Sequence, residues 1–184
     1  MPAPKTSALW DPRIDPGVIL LREVPEALSD AALPTILPKG TTIPAQDGLH
    51  HLHDGGGDRR LQVLQLDPDA TALVAIVPLD QDGFVRLDAV YRLLAMIHGR
   101  AVPADKRLTG QKRLRAKRML QAHDGRQAGA THRQIAEVIF QMPQVSRDEW
   151  QSASERFAVM ALLRDARKMV DGGYLGLLRP KERA

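Results

Sequence analysis

The chain contains no cysteine, only seven aromatic residues and no apolar run long enough to cross a membrane. Without cysteine it forms no disulfide and offers no thiolate metal site. With aromatics at 4%, any core has to be assembled from Leu, Val, Ile, Ala and Met, with few large anchors. The longest apolar stretch, residues 70–79, is broken by Thr71 and Pro78 and has about half of the roughly 20 residues that a membrane span needs. The first residues, MPAPKTSALWDP, lack a charged segment followed by an apolar one, so no secretion signal is read and the cytoplasm is the expected location. Gly-x-Ser-x-Gly and His-Glu-x-x-His are absent. Gly55-Gly56-Gly57 lacks the Gly-Lys-Ser/Thr continuation of a phosphate loop, and no carboxylate pair is framed by apolar residues. Neither an enzyme nor a cofactor is expected.

What is present is 184 residues, 43% hydrophobic and 26% charged, the composition of one globular domain or two small ones. The charge is unevenly spread. Residues 1–100 hold 9 Lys and Arg against 13 Asp and Glu, a net of −4, whereas residues 101–184 hold 17 against 9, a net of +8. Basic side chains clustered in one half suit a polyanion, because they release the counterions condensed on nucleic acid. A solvated basic surface is the plainer alternative.

Eight of the thirteen prolines lie within residues 1–48, which argues against long regular elements there. A short strand is expected at Val18–Leu21 and a helical turn at Asp30–Leu33. A hairpin follows, with strands at Leu49–His53 and Arg59–Leu66 around a Gly-rich turn, and a third, central strand at Thr71–Val77. The expected product is a small antiparallel sheet. From Arg86 the period becomes helical: Leu87, Val90, Tyr91, Leu94 and Ile97 fall on one stripe, predicting a helix over 87–98 stopped by Gly99. His50, His51 and His53 raise a metal site, with Asp54 or Asp58 as further ligand. Packing and hydrogen bonding within the hairpin is the favoured reading, and no metal is expected.

After Pro103 three helix starts carry capping signatures. Thr109 precedes a basic helix running to about His123. Thr131-x-x-Gln134 and Ser152-x-x-Glu155 read as capping boxes for the next two, the last helix spanning about Ala153–Val170 before Gly172-Gly173. In the eleven-residue gap Gln141–Gln151, Ser146-x-x-Glu149 could cap a short turn. Inward positions are expected at Met119, Leu120, Ala122 and His123, at Ile135, Ala136, Val138 and Ile139, and at Phe157, Met160, Leu163 and Met169. Arg113, Lys117 and Arg118 then lie outward on the basic helix, with Lys112 and Arg115 at the border. The spacing Thr131-x-x-x-Ile135-Ala136 is similar to the first helix of a helix-turn-helix pair. An ordinary short helix in a bundle is the alternative.

Residues from about Lys112 to Arg179 resemble the bacterial family catalogued as domain of unknown function 2285. The resemblance is carried by the Arg-rich helix through His123-Asp124-Gly125-Arg126, by Arg133-Gln134-Ile135-Ala136-Glu137, by Trp150, and by Leu163-Arg164-Asp165-Ala166-Arg167 with Gly172-Gly173-Tyr174. Gly48-x-His50-His51 and Arg60-Leu61-Gln62 resemble the upstream part of longer members. The resemblance implies a helix-turn-helix variant with a lengthened turn, in regulators of conjugative element transfer. Activators of that family present a basic face to DNA, and antiactivators an acidic one to a partner regulator. The fold expected is therefore α+β, a β-rich region over 1–100 ending in a helix and a basic helix-turn-helix-like domain over 101–184. The expected partner is double-stranded DNA. Another transcription regulator, RNA polymerase and a second copy of the chain are further candidates. Lys112, Arg113, Arg115, Lys117, Arg118 and Arg126 are expected to grip phosphates. Thr131, His132 and Arg133 would anchor the second helix, while Arg147, Gln151, Ser154 and Arg156 approach the major groove. The alternative function is a protein-interaction module that titrates another regulator.

Overall fold

A computed structural model describes residues 9–31, 33–54, 60–105 and 107–179. Among the described residues the architecture is α+β, a five-stranded sheet followed by five helices. The chain forms two compact units, residues 1–106 with 178–184, and residues 107–177.

The first unit holds β1 (Ile19–Glu23), β2 (Thr41–Ala45), β3 (Gly48–Asp54), β4 (Arg60–Gln65) and β5 (Leu73–Ile76), in the sheet order β2-β3-β4-β1-β5, and α1 (Gly83–Ile97). The hairpin expected around His50–His53 is the β3–β4 pair, with His51 opposite Val63 and His53 opposite Leu61; its Gly-rich turn lies outside the described residues. Three expectations need correction. The sheet is mixed, because β1 runs parallel to β4. The strand expected to be central, β5, is an edge, and the inner position belongs to β1. β2 was not foreseen, since Pro44 argues against a strand; as an edge strand it has a side on which no amide is needed. The single turn expected at Asp30–Leu33 is a 3-10 helix begun earlier, at Glu26–Ala31.

β4 is buried at every position from Leu61 to Gln65, so both faces of the sheet are covered there. Leu61 and Val63 pack with Ile19, Leu21, Ala89 and Leu93 in one apolar cluster. Each of the Leu, Val and Ile side chains contributes about 1.5–3 kcal/mol by leaving water. Gln62 clamps the N-terminal segment: its Oε1 accepts from the Trp10 amide at 2.9 Å and its Nε2 donates to the Trp10 carbonyl at 2.8 Å. Close strand contact depends on two glycines. A Cβ on Gly48, whose φ is +138°, would fall 2.2 Å from the Gln65 carbonyl oxygen, and one on Gly40 would fall 2.3 Å from that of Leu52.

α1 starts four residues before the expected position and turns a different face inward. Its buried residues are Gly83, Arg86, Ala89, Arg92, Leu93 and Ala95. Val90 and Ile97 of the expected stripe do pack against the core, but Leu87, Tyr91 and Leu94 are exposed. The buried arginines meet main-chain carbonyls. Arg92 donates to those of Pro103 and Arg60 and pairs with Asp105 at 3.5 Å, and Arg86 donates from Nη2 to that of Pro12 at 3.1 Å.

The histidines are built into the sheet. His51 bridges Thr42 at 3.0 Å and Gln65 at 3.1 Å, and His50 meets Asp47 at 3.0 Å and Gln62 at 3.3 Å. His53, 2% exposed, has Nδ1 at 3.3 Å from the Lys39 carbonyl, while its Nε2 is buried without a partner among the described residues. Facing a carbonyl, Nδ1 carries the proton, so a second proton would place an N–H on Nε2 with no acceptor. Burial accordingly holds this imidazole below its usual value of 6.5, with the positive potential of His51 adding to the effect. The unfolded chain takes up a proton near 6.5 and the native one only at lower pH. The stability contributed by neutral His53 is thus present above about 6.5 and is lost as pH falls through the folded value. With Trp150→Phe leaving Trp10 as the reporter of this unit, the fluorescence-monitored unfolding midpoint is expected to drop between pH 7.5 and 5. His53→Gln should flatten that dependence. An equal pH slope in both proteins would remove His53 as its source.

Candidate nucleic-acid interface

The second unit contains α2 (Gly110–Gln127), α3 (His132–Phe140), α4 (Arg147–Ser152) and α5 (Ser154–Val170), followed by a 3-10 turn at Gly173–Leu177. Its core is Met119, Ala122, Ile135, Ala136, Val159, Leu162 and Ala166. Three of these seven are alanines, which let the helices approach closely.

Caps fix the helix starts. Thr109 accepts from the Lys112 amide, and both Thr131 with Gln134 and Ser146 with Glu149 form complete capping boxes, each such cap being worth about 1 kcal/mol. The turn foreseen at Ser146 is the helix α4. The box expected at Ser152 does not form: α5 starts at Ser154 with Ala153 at the N-cap and no side-chain cap, and the Ser152 hydroxyl donates to the Glu149 carbonyl instead. Inward faces also differ from expectation. Leu120, Val138, Phe157 and Met160 are exposed, while Val159, Leu162 and Ala166 are buried. α2 extends to Gln127, one turn past His123.

Residues 107–177 carry 13 Lys and Arg against 7 Asp and Glu. Lys112 and Arg113 lie in the first turns of α2, which has no acidic residue there. Cations at a helix N-terminus oppose the macrodipole and cost stability, and Arg113 Nη2 donates to the Leu108 carbonyl at 3.3 Å just before the helix.

The foreseen residues fall at two ends of this unit. Lys112, Arg113, Arg115, Lys117 and Arg118 lie on the first half of α2. A groove of about 430 Å³ joins that half, through Leu114, Arg115 and Arg118, to Phe140 at the end of α3 and to Ala158 and Leu162 in the first half of α5. Arg147, Gln151, Ser154 and Arg156 share the elbow where α4 passes directly into α5, and Arg156 Nη1 donates to the Gln151 carbonyl at 3.0 Å. Arg126, Thr131, His132 and Arg133 lie at the other end, where α2 turns into α3. At 1.5 Å per residue, Arg126 is about 21 Å along the helix axis from Lys112.

Several of these cations are engaged within the fold. Arg115 pairs with Asp165 of α5, and its guanidinium, followed by that of Arg164, holds the Asp165 carboxyl below the usual carboxylate range. Arg133 pairs with Glu137 at 3.1 Å, Arg118 lies 5.7 Å from the Phe140 ring centre, and Arg126 donates to the Ala130 carbonyl at 3.3 Å. Lys112, Lys117 and Arg147 are exposed and form no ion pair among the described residues. The Arg115–Asp165 pair spans 50 residues of sequence, and no local signal could have announced it. Arg164, Arg167 and Lys168, none of them among the expected contact residues, add exposed charge on α5, and Arg164 pairs with Asp165 at 3.1 Å.

A basic helical unit with engaged and exposed cations on its surface is an arrangement suited to a polyanion. Residues 76–179, more than half of the chain, match the RovC DNA-binding domain family, described as "T6SS, Transcription factor, DNA binding domain". The chain belongs to that family. No curated protein and no solved structure matches it. Among the described residues no helix is long and apolar enough to cross a membrane. The match carries the class of DNA-binding regulator and leaves the conjugative-element connection resting on the sequence resemblance.

Proposed function

We propose that the second unit is a helix-turn-helix variant in which α3 and α5 are the paired helices and the segment containing α4 is a lengthened turn. The exposed cations at the start of α2 hold DNA phosphates, and the α4–α5 elbow brings Arg147, Gln151, Ser154 and Arg156 to base edges in the major groove. The observation that carries this reading is the placement of Lys112 and Arg113 in the first turn of α2, against the macrodipole, with Lys117 on the same half of the helix, in a chain of this family. Arg126 and the α3 N-terminus, about 21 Å away along the axis, supply a second phosphate grip. Control of a conjugative element is the biological setting that the resemblance supports.

The test is a fluorescence-anisotropy titration of the full chain with its own upstream promoter region and with a scrambled duplex, each at two salt concentrations. Preference for the promoter that persists at higher salt is expected, because base contacts contribute discrimination that counterion release does not. Weak, equal, salt-abolished binding to both would overturn the sequence-reading role. The groove lined by Leu114, Phe140, Ala158 and Leu162 favours a second reading, capture of another regulator, which predicts a stable heterocomplex without salt-sensitive DNA affinity.

A further inference from the structure

Within the second unit, α2, α5 and the 3-10 turn after α5 border a cleft of about 150 Å³. Among the described residues that line it none is Lys, Arg, Asp or Glu, and the lining presents almost no nitrogen or oxygen to the space. The groove beside the first half of α2 differs in this respect, since Arg115 and Arg118 stand in its wall. Met119 and Ala166, 5% and 3% exposed, are the buried members of the cleft. Ala116 on α2 and Ala166 on α5 leave it open, because a longer side chain at either position would occupy the space. Two glycines set the remaining wall. Gly172 has a φ of +102°, and a Cβ on Gly173 would fall 2.5 Å from the Lys168 carbonyl oxygen. Glycine at both positions thus lets the chain double back on α5 and bring Tyr174 and Leu177 to the cleft.

We propose that this cleft is a binding site for a small uncharged aromatic ligand of one ring. The size fits first. An apolar cavity of roughly 150 Å³ stays dry and accepts benzene, so the space takes one six-membered ring and little more. The chemistry of the lining then selects the class. A charged ligand would give up its hydration there without replacement, a loss that an uncharged ring does not incur. Met119 and Met169 favour an aromatic over an aliphatic ring, because thioether sulfur and aromatic rings attract one another at about 5 Å. A protein segment is the poorer occupant. Its amides would find no hydrogen-bond partners in such a lining, and the exposed Lys117, Asp124, Arg167 and Asp171 lie next to the lining positions of α2 and α5, which keeps the apolar surface around the cleft small.

The test is a titration of benzene into the full chain, isotopically labelled at the methyl groups of its six methionines, and followed by NMR. The Met119 and Met169 methyl signals, assigned with Met119→Leu and Met169→Leu chains, are expected to move under the ring current and to saturate. Half-saturation is expected at about 1 mM, an affinity open to a ligand of six heavy atoms. Met96 in the first unit and the exposed Met160 should stay in place. Benzoate, which carries the same ring with a charge, should move none of them at equal concentration. Ala116→Leu fills the cleft from a half-buried position and should weaken benzene binding at least tenfold with helical circular dichroism unchanged. The site is overturned if Met119 and Met169 do not move, if the shifts grow without saturating or appear equally at Met160, or if benzoate reproduces them. A benzene affinity that a folded Ala116→Leu chain retains overturns it as well. Should that variant not fold, the pattern of methyl shifts in the native chain decides alone. Because no DNA is present, each outcome is independent of the phosphate contacts proposed for α2.

Discussion

Lys112→Ala with Lys117→Ala is expected to lower the affinity for duplex DNA about thirtyfold at 0.15 M salt, equally on the promoter and the scrambled sequence. The estimate follows from counterion release: each lost phosphate contact removes about 0.9 from the slope of log affinity against log salt, which is roughly fivefold in affinity at this ionic strength. The slope should therefore fall by about 2. These two side chains are chosen because they are exposed and form no ion pair among the described residues. Arg115, by contrast, is held by Asp165, and Arg118 lies over Phe140. Arg147→Ala should act differently, reducing discrimination between the two duplexes by about 1–3 kcal/mol while leaving the slope nearly intact. Anisotropy titrations over a salt series check both expectations. An unchanged slope in the double variant would move the phosphate grip away from the first half of α2.

In the core of the second unit, Leu162→Ala is expected to destabilise by about 2–5 kcal/mol. Leu162 is 6% exposed among Met119, Ile135, Val159 and Ala166, and the surrounding alanines have no spare side-chain atoms with which to refill the space. A unit of this size holds only about 4–10 kcal/mol in all, so the loss is a large part of its stability. Phe157→Ala removes more atoms from the same helix but should change stability by less than about 1 kcal/mol, since Phe157 is 60% exposed. Denaturant unfolding followed by Trp150, in a Trp10→Phe background, separates the two. The order of effects would invert if Phe157 faced inward, as the spacing of Phe157, Met160 and Leu163 had suggested.

That inversion marks where sequence reasoning reached its limit. α5 carries two apolar series at helical spacing, one through Phe157 and Met160 and one through Val159, Leu162, Ala166 and Met169. α1 carries two as well, through Phe84, Leu87, Tyr91 and Leu94 and through Ala89, Leu93 and Ile97. Burial of apolar area is non-directional, so periodicity announces a helix without saying which series meets the core. In α1 the inward face also carries Arg86 and Arg92, which meet the Pro12 and Pro103 carbonyls and Asp105. Those partners become neighbours only on folding.

The sequence by itself determined the features set by neighbours three or four residues away. Thr109, Thr131 with Gln134, and Ser146 with Glu149 start helices because their side chains reach amides within one turn. The strand pattern of Arg59–Leu66 with the Gly-rich stretch before it announced a hairpin, and the concentration of Lys and Arg after residue 100 announced a basic unit. Only the tertiary structure decided the rest: the parallel pairing of β1 with β4, the edge position of β5, the inward face of each helix and the engagement of Arg115 by Asp165. Each of these joins residues tens of positions apart. Chain closure and mutual packing select such contacts from many that local patterns allow equally.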